Sequence, residues 1–362
     1  MKNIEIKSGN TSAEISLIGA SIISLNSKDK EGNITKEAMY SYVGGNSWKG
    51  RDGQCAFHMF PILCDLRPID ELYMKFPNMG NIQKEKDVYI VHTVSDGYKC
   101  LRSDENGKYP DGYFYNGDFY QIGKHGFLKS LTFAIESQSE NSIVLVTHDT
   151  LETLKQFPWK FEARLAHSIE NGKISSKFEV KNLSPEPMPF FQGTHSTYAT
   201  EGSLDNYIVK LFYPQDIKEV TAWEFETPEK TYAFNPSKGF RLNEEMFKGS
   251  VTLFIDKKGF DEVALFKKEG LNEKLVVSFH LSDRDNVLAI WDPTSKLDDK
   301  AGKRGLALEP STHVQGAFNK TLELKDNKEL VWLNQGRTWS KTIVTNMHPP
   351  AKIIDKKHEV RF

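Results

Sequence analysis

Apolar and polar positions alternate along most of this chain. Ile4 and Ile6 begin the pattern, and Ala13-Glu14-Ile15-Ser16-Leu17-Ile18 carries it to Gly19. A period of two places successive side chains on opposite faces of a strand, so that one face can be buried. The same reading applies to Ser142-Ile143-Val144-Leu145-Val146-Thr147, to Phe161 through His167 and to Ile174 through Val180. It recurs at Val251 to Ile255, Val263 to Phe266, Leu275 to His280 and Val287 to Trp291. Leu322-Glu323-Leu324 and Ser340-Lys341-Thr342-Ile343-Val344 are the last predicted strands. Glu170-Asn171-Gly172-Lys173 and Asp256-Lys257-Lys258-Gly259 supply turn signals between neighbours.

Helical pattern is confined to short turns around Ile69 to Met74, Leu204 to Ile208 and Asn243 to Met246. Without helices of ~10 or more residues between strands, a parallel α/β sheet is disfavoured. The expected class is all-β, a large antiparallel β-sandwich. Residues 68–120 interrupt the rhythm with Asp, Lys, Asn, Gly and Tyr, including Ser103-Asp104-Glu105-Asn106-Gly107-Lys108. They read as a loop-rich insertion or an added subdomain at one end of the sheet. Residues 1–350 are then expected to form one domain, with 351–362 as a tail.

Composition narrows the function classes. The 362 residues, 38% of them hydrophobic, suffice for a large core, and β-sandwiches of this length do run as single units. A net charge of −2 provides no basic field for nucleic acid or anionic lipid. Aromatics at 12% oppose disorder. Cys55, Cys64 and Cys100 are odd in number and lack CxxC spacing, which argues against a disulfide framework or a zinc knuckle. A reduced, cytoplasmic protein is the expectation. Met1 to Lys7 alternate like a strand and not like a signal peptide, and no stretch approaches the ~20 apolar residues of a bilayer span. The expected partner is a small molecule, with the chain a monomer or homodimer.

Three segments hold candidate chemistry: Gly123-Lys124-His125-Gly126-Phe127, Met188-Pro189-Phe190-Phe191-Gln192-Gly193-Thr194-His195, and Ala307-Leu308-Glu309-Pro310. In the second, a histidine leaves an apolar run after a Gly-Thr pair. A carboxylate near pKa ~4.3 and imidazoles near ~6.5 make an acid/base set at neutral pH. Such a set removes one proton while delivering another, as ring opening of a sugar hemiacetal requires. His58 and His313 lie close to these segments.

The order of these motifs resembles the aldose 1-epimerases, or mutarotases, and their relatives acting on hexose 6-phosphates. The resemblance runs from about Ala13 to about Thr345. It is carried by Ile18-Gly19-Ala20-Ser21-Ile22, Phe60-Pro61-Ile62-Leu63, Lys124-His125-Gly126-Phe127, Phe157-Pro158-Trp159-Lys160-Phe161, Val180-Lys181-Asn182, Gly193-Thr194-His195, Leu308-Glu309-Pro310 and Gly316-Ala317-Phe318-Asn319. It implies a β-sandwich isomerase that needs no cofactor or metal. Glu309 would be the general base at the anomeric hydroxyl and His195 the general acid at the ring oxygen. His125 would hydrogen-bond the sugar, with Trp291 or Trp223 against its apolar face.

The sequence departs from the family after the Phe-Pro segment. Many relatives have Gly-Arg there; this chain has Cys64-Asp65, with Arg67 two residues later. Asp65 and Arg67 are the expected substitutes in sugar binding, or else a structural ion pair. Lys124 belongs to a scattered basic set with Arg51, Arg284, Lys303 and Arg304, which a phosphorylated sugar would call on. A carbohydrate-binding protein that retains the sandwich without turnover is the reading from another class.

Overall fold

Two antiparallel sheets carry most of the alternating segments. The structure is a computed structural model. It describes residues 3–39, 55–63, 66, 68–76, 82–94, 97–213, 217–225, 227–248, 251–257, 259–293, 303–314, 321 and 323–347. Asp65, Arg67, Arg51, the Gly316–Asn319 motif and the 351–362 tail therefore lie outside the described residues.

The first sheet runs in the order Asn3–Ser8, Thr11–Ser16, Ile22–Lys28, Ala56–Met59, Gly193–Glu201, Lys303–Ser311, Val287–Trp291, Thr252–Asp256, Val220–Glu224 and Thr231–Phe234, with Ile34–Glu37 added beside Ile22–Lys28. The second runs Ala134–Gln138, Ser142–His148, Phe161–Glu170, Lys173–Asn182, Thr338–Asn346, Asn272–His280, Glu262–Glu269, Tyr207–Phe212 and Phe240–Arg241. Their facing sides share one apolar core. Leu25, Phe60, Tyr198, Ile290 and Leu308 come from the first sheet and its connections, and Leu165, Phe178, Val277 and Ile343 from the second. The expected all-β antiparallel sandwich is thus the fold.

Local chemistry explains the long central hairpin. Phe161–Glu170 pairs with Lys173–Asn182 across Asn171 and Gly172, both at positive φ (49° and 75°). That is the backbone a two-residue hairpin needs to match the twist of its strands. Short helical turns occur where the pattern placed them, at Ile69–Lys75, Leu204–Asn206 and Glu244–Phe247. A further helix, Leu151–Gln156, was not anticipated; Thr150 and Thr153 close its first turn with a capping box.

Among the described residues, one expected strand is replaced by a turn. Leu324 opens a 3-10 turn, Leu324–Asp326, in place of a strand over Leu322-Glu323-Leu324, and Leu322 lies outside the described residues. Three residues cannot distinguish a period of two from a single buried side chain, and Leu324 is that side chain, 1% exposed. Residues 68–120 hold a helix, the three-stranded sheet Ile82–Glu85, Val88–Thr93, Gly97–Arg102, and the hairpin Gly112–Tyr115 with Asp118–Gln121. Ile69, Leu72, Ile82, Tyr89, Val91, Phe114 and Phe119 form a core of their own there. Among the described residues, no helix is long and apolar enough to cross a membrane.

Strand alternation gives the first sheet a second apolar face. Leu288 and Ile290 enter the shared core, whereas Val287 and Ala289 join Phe254 in a separate cluster edged by Trp223, Phe225 and Val314. The candidate site lies on this outer face.

Candidate active site

The Gly193–Glu201 strand sits between Ala56–Met59 and Lys303–Ser311. Its register pairs His195 with Phe57 on one side. On the other, Gly193 pairs with Ser311 and Ser196 with Leu308, so Glu309 falls opposite His195. Residues opposite one another on one face bring their side chains together. His195 Nε2 lies 3.4 Å from Glu309 Oε1. One strand further on, Ala289 pairs with Glu309, and Trp291 presents its ring edge-on to His195 with centroids 5.9 Å apart.

His125 arrives from a turn. Both His125 (φ 60°) and Gly126 (φ 69°) are left-handed, and the turn is pressed against the Phe60-Pro61 segment. The backbone N–H of Phe127 donates to the Phe60 carbonyl at 3.2 Å. Added to Gly126, a Cβ would stand 2.1 Å from that oxygen, so only glycine fits. The turn delivers the His125 ring to 5.5 Å from His195, nearly perpendicular at 84°. The three predicted acid/base residues, far apart in the chain, therefore converge. All three are buried: His125 and His195 are 2% exposed and Glu309 5%.

Other predicted residues fall at various distances from this centre. Trp291 touches the His195 ring. Trp223 lies farther along the same face, stacked on Phe254 at 5.0 Å. Lys124 shares the turn with His125, and its carbonyl accepts a bond from the Lys129 ammonium. Asp65 and Arg67 lie outside the described residues.

Several contributors escaped the sequence reading. Phe57 stacks on His195 (centroids 4.8 Å, 17° between planes) and meets His125 edge-on at 6.0 Å. It lies in the mostly apolar Ala56-Phe57-His58-Met59, just before the Phe60-Pro61 motif. Beneath the site, His58 points toward the shared core and stacks on Phe178. Its Nδ1 accepts from Gln192 Nε2 at 2.9 Å. Burial, reinforced by His167 and Lys341, holds the His58 ring well below the ordinary imidazole pKa of 6.5, hence neutral. His313 Nδ1 accepts from the Val314 N–H at 2.8 Å, which leaves the proton on Nε2, 3.0 Å from the Glu329 carboxylate. His313 also borders a small cavity with Met59, Leu63, Phe254, Ala289, Glu309 and Ser311.

Chemically, the site offers one carboxylate and two imidazoles in an apolar, aromatic frame. The sequence profile named aldose 1-epimerase matches residues 72–345. The chain belongs to the aldose 1-epimerase family. Among curated proteins, it is similar to LacX of Lactococcus lactis subsp. lactis, in both plasmid and chromosomal forms. Identity there is 32% over 78 residues, 21% of this chain and 26% of LacX. The match thus spans about a quarter of that relative. Among solved structures, a galactose mutarotase related enzyme from Lactobacillus acidophilus is similar over 96% of this chain and 98% of its own, at 19% identity and a TM-score of 0.67. A galactose mutarotase-like protein from Lactobacillus casei covers 96% of this chain and 100% of its own, at 17% identity and a TM-score of 0.68. At such identities the aldose 1-epimerase fold is shared and the substrate is left open.

Proposed function

We propose that this chain interconverts the α and β anomers of a free hexose by opening and reclosing the hemiacetal ring. Glu309 accepts the proton of the anomeric hydroxyl while His195 protonates the ring oxygen, and the roles reverse when the ring closes on its other face. His125 hydrogen-bonds the sugar where charge develops. Trp291, Lys124, Asp65 and Arg67 are assigned to sugar binding, and residues 1–350 to one catalytic unit. The observation that carries this reading is the 3.4 Å approach of His195 to Glu309 with His125 beside them. The two reacting oxygens sit on one carbon, so their base and acid must be near neighbours.

The test is polarimetry on freshly dissolved α-glucose, α-galactose and α-glucose 6-phosphate, with wild type and Glu309→Gln in parallel. Faster anomerisation of a free hexose by wild type alone is expected. Preference for the phosphate ester would move the assignment to a hexose 6-phosphate epimerase. Binding of a sugar with anomers exchanging at the uncatalysed rate would make the protein a carbohydrate binder.

A further inference from the structure

Lysine has no ordinary place in the middle of a sandwich core. Along Thr338–Asn346, buried and exposed residues alternate, and this parity sends Trp339, Lys341 and Ile343 inward. The Lys341 side chain is fully enclosed, as is that of its ion-pair partner Asp285. Burying two such charges costs several kcal/mol each in desolvation, which an apolar pair of similar volume avoids. Asp285 is itself fixed: its carboxylate accepts from the Ser282 N–H at 3.0 Å.

The third contact is the informative one. Lys341 Nζ donates to the backbone carbonyl of Pro310 at 3.0 Å. Lys341 stands on the second sheet and Pro310 on the first, directly after Glu309. The ammonium therefore bridges the sandwich and ends one residue from the carboxylate of the site. Pro310 cannot donate to the sheet ladder, so the strand is weakest here. The same connection that carries Asp285 holds the residues beyond. Asn286 donates its N–H to the Ser311 carbonyl and its Nδ2 to the Thr312 carbonyl, both at 2.8 Å. Thr312 then exchanges bonds with Gln192, three residues before His195.

We infer that Lys341, locked by Asp285, is a positioning residue: it sets the Pro310 carbonyl and thereby places the Glu309 carboxylate beside His195. The inference rests on the mutarotase reading of Glu309.

Removing Lys341 alone would strand a buried carboxylate, so the deciding variant is Lys341→Met with Asp285→Asn. The double variant removes both charges together, so neither is left buried and unpaired. The expected result is a folded protein with a modestly lowered Tm, since the Pro310 carbonyl loses its donor, a KM within about twofold of wild type, and a kcat lowered about 10- to 100-fold. A crystal structure of the double variant should show the His195–Glu309 separation moved from 3.4 Å. A folded double variant with wild-type kcat and that separation intact overturns the inference, and so does one that fails to fold, since the pair would then be structural. If wild type leaves every sugar at its uncatalysed rate, the mutarotase reading falls, and the crystallographic separation alone decides the role of Lys341.

Discussion

Gly126→Ala offers a sharp test of whether the His125 turn is part of the active site. The added Cβ would lie 2.1 Å from the Phe60 carbonyl oxygen, 2.5 Å from its carbon and 2.8 Å from the Pro61 nitrogen. All three are backbone atoms, so no side chain can swing aside. Ordinary contact needs ~3.5 Å, and the turn must withdraw by about 1.4 Å. The left-handed φ of 69° adds about 1–2 kcal/mol for any residue with a Cβ. His125 is the adjacent residue and is left-handed as well, so the withdrawal displaces its ring from its present 5.5 Å setting beside His195. A displacement of about 1 Å in a positioning group costs roughly 10²-fold. The expected outcome is a folded protein with a lowered Tm and kcat down about 10- to 100-fold, read from the initial slope of optical rotation. Gly123→Ala is the internal control: it lies in the same segment, outside the left-handed region, with nothing within 4 Å of its added Cβ. If Gly126→Ala loses stability yet turns over as fast as Gly123→Ala, the turn has no part in catalysis.

Other consequences can be checked with simpler measurements. Glu309→Gln and His195→Asn should each lower kcat by ~10²–10⁴-fold without unfolding the chain; unchanged rates in both would end the acid/base assignment. Phe57→Leu keeps bulk but removes the ring stacked on His195, a contact worth about 0.5–1.5 kcal/mol, so kcat should fall by up to about tenfold. An unaltered rate would make the stack packing alone. The buried His167, wedged between Ser176 and the Ala20 carbonyl, has its pKa pushed by burial from 6.5 to about 4. Below pH ~6.5 the unfolded chain takes up a proton that the folded one refuses, so stability declines as pH falls, by about 3 kcal/mol near pH 4. Urea midpoints at pH 7 and pH 4.5 should converge in His167→Gln relative to wild type; an identical fall in both proteins would contradict this.

What the sequence disclosed follows from how each feature is built. Strands are legible because one buried face imposes a local period, and the hairpin through Asn171-Gly172 because its turn demands positive φ. His125, His195 and Glu309 were legible as short motifs, but their convergence was expected only through the family resemblance, because it depends on register. Pairing of Gly193 with Ser311 sets Glu309 across from His195, and a slip of one residue would turn it into the core. Phe57 was hidden for the same reason: nothing in its short apolar strand says that His195 waits on the adjacent one. Lys341 was legible in a different sense. Ser340-Lys341-Thr342-Ile343-Val344 reads as a strand, and parity assigns the lysine to the side of Ile343. A charge at a core position is a local conflict with the global fold, and such conflicts concentrate where function holds them in place. Here the conflicting residue reaches through the sandwich to the carbonyl beside Glu309, which ties the least expected side chain of the second sheet to the candidate base of the first.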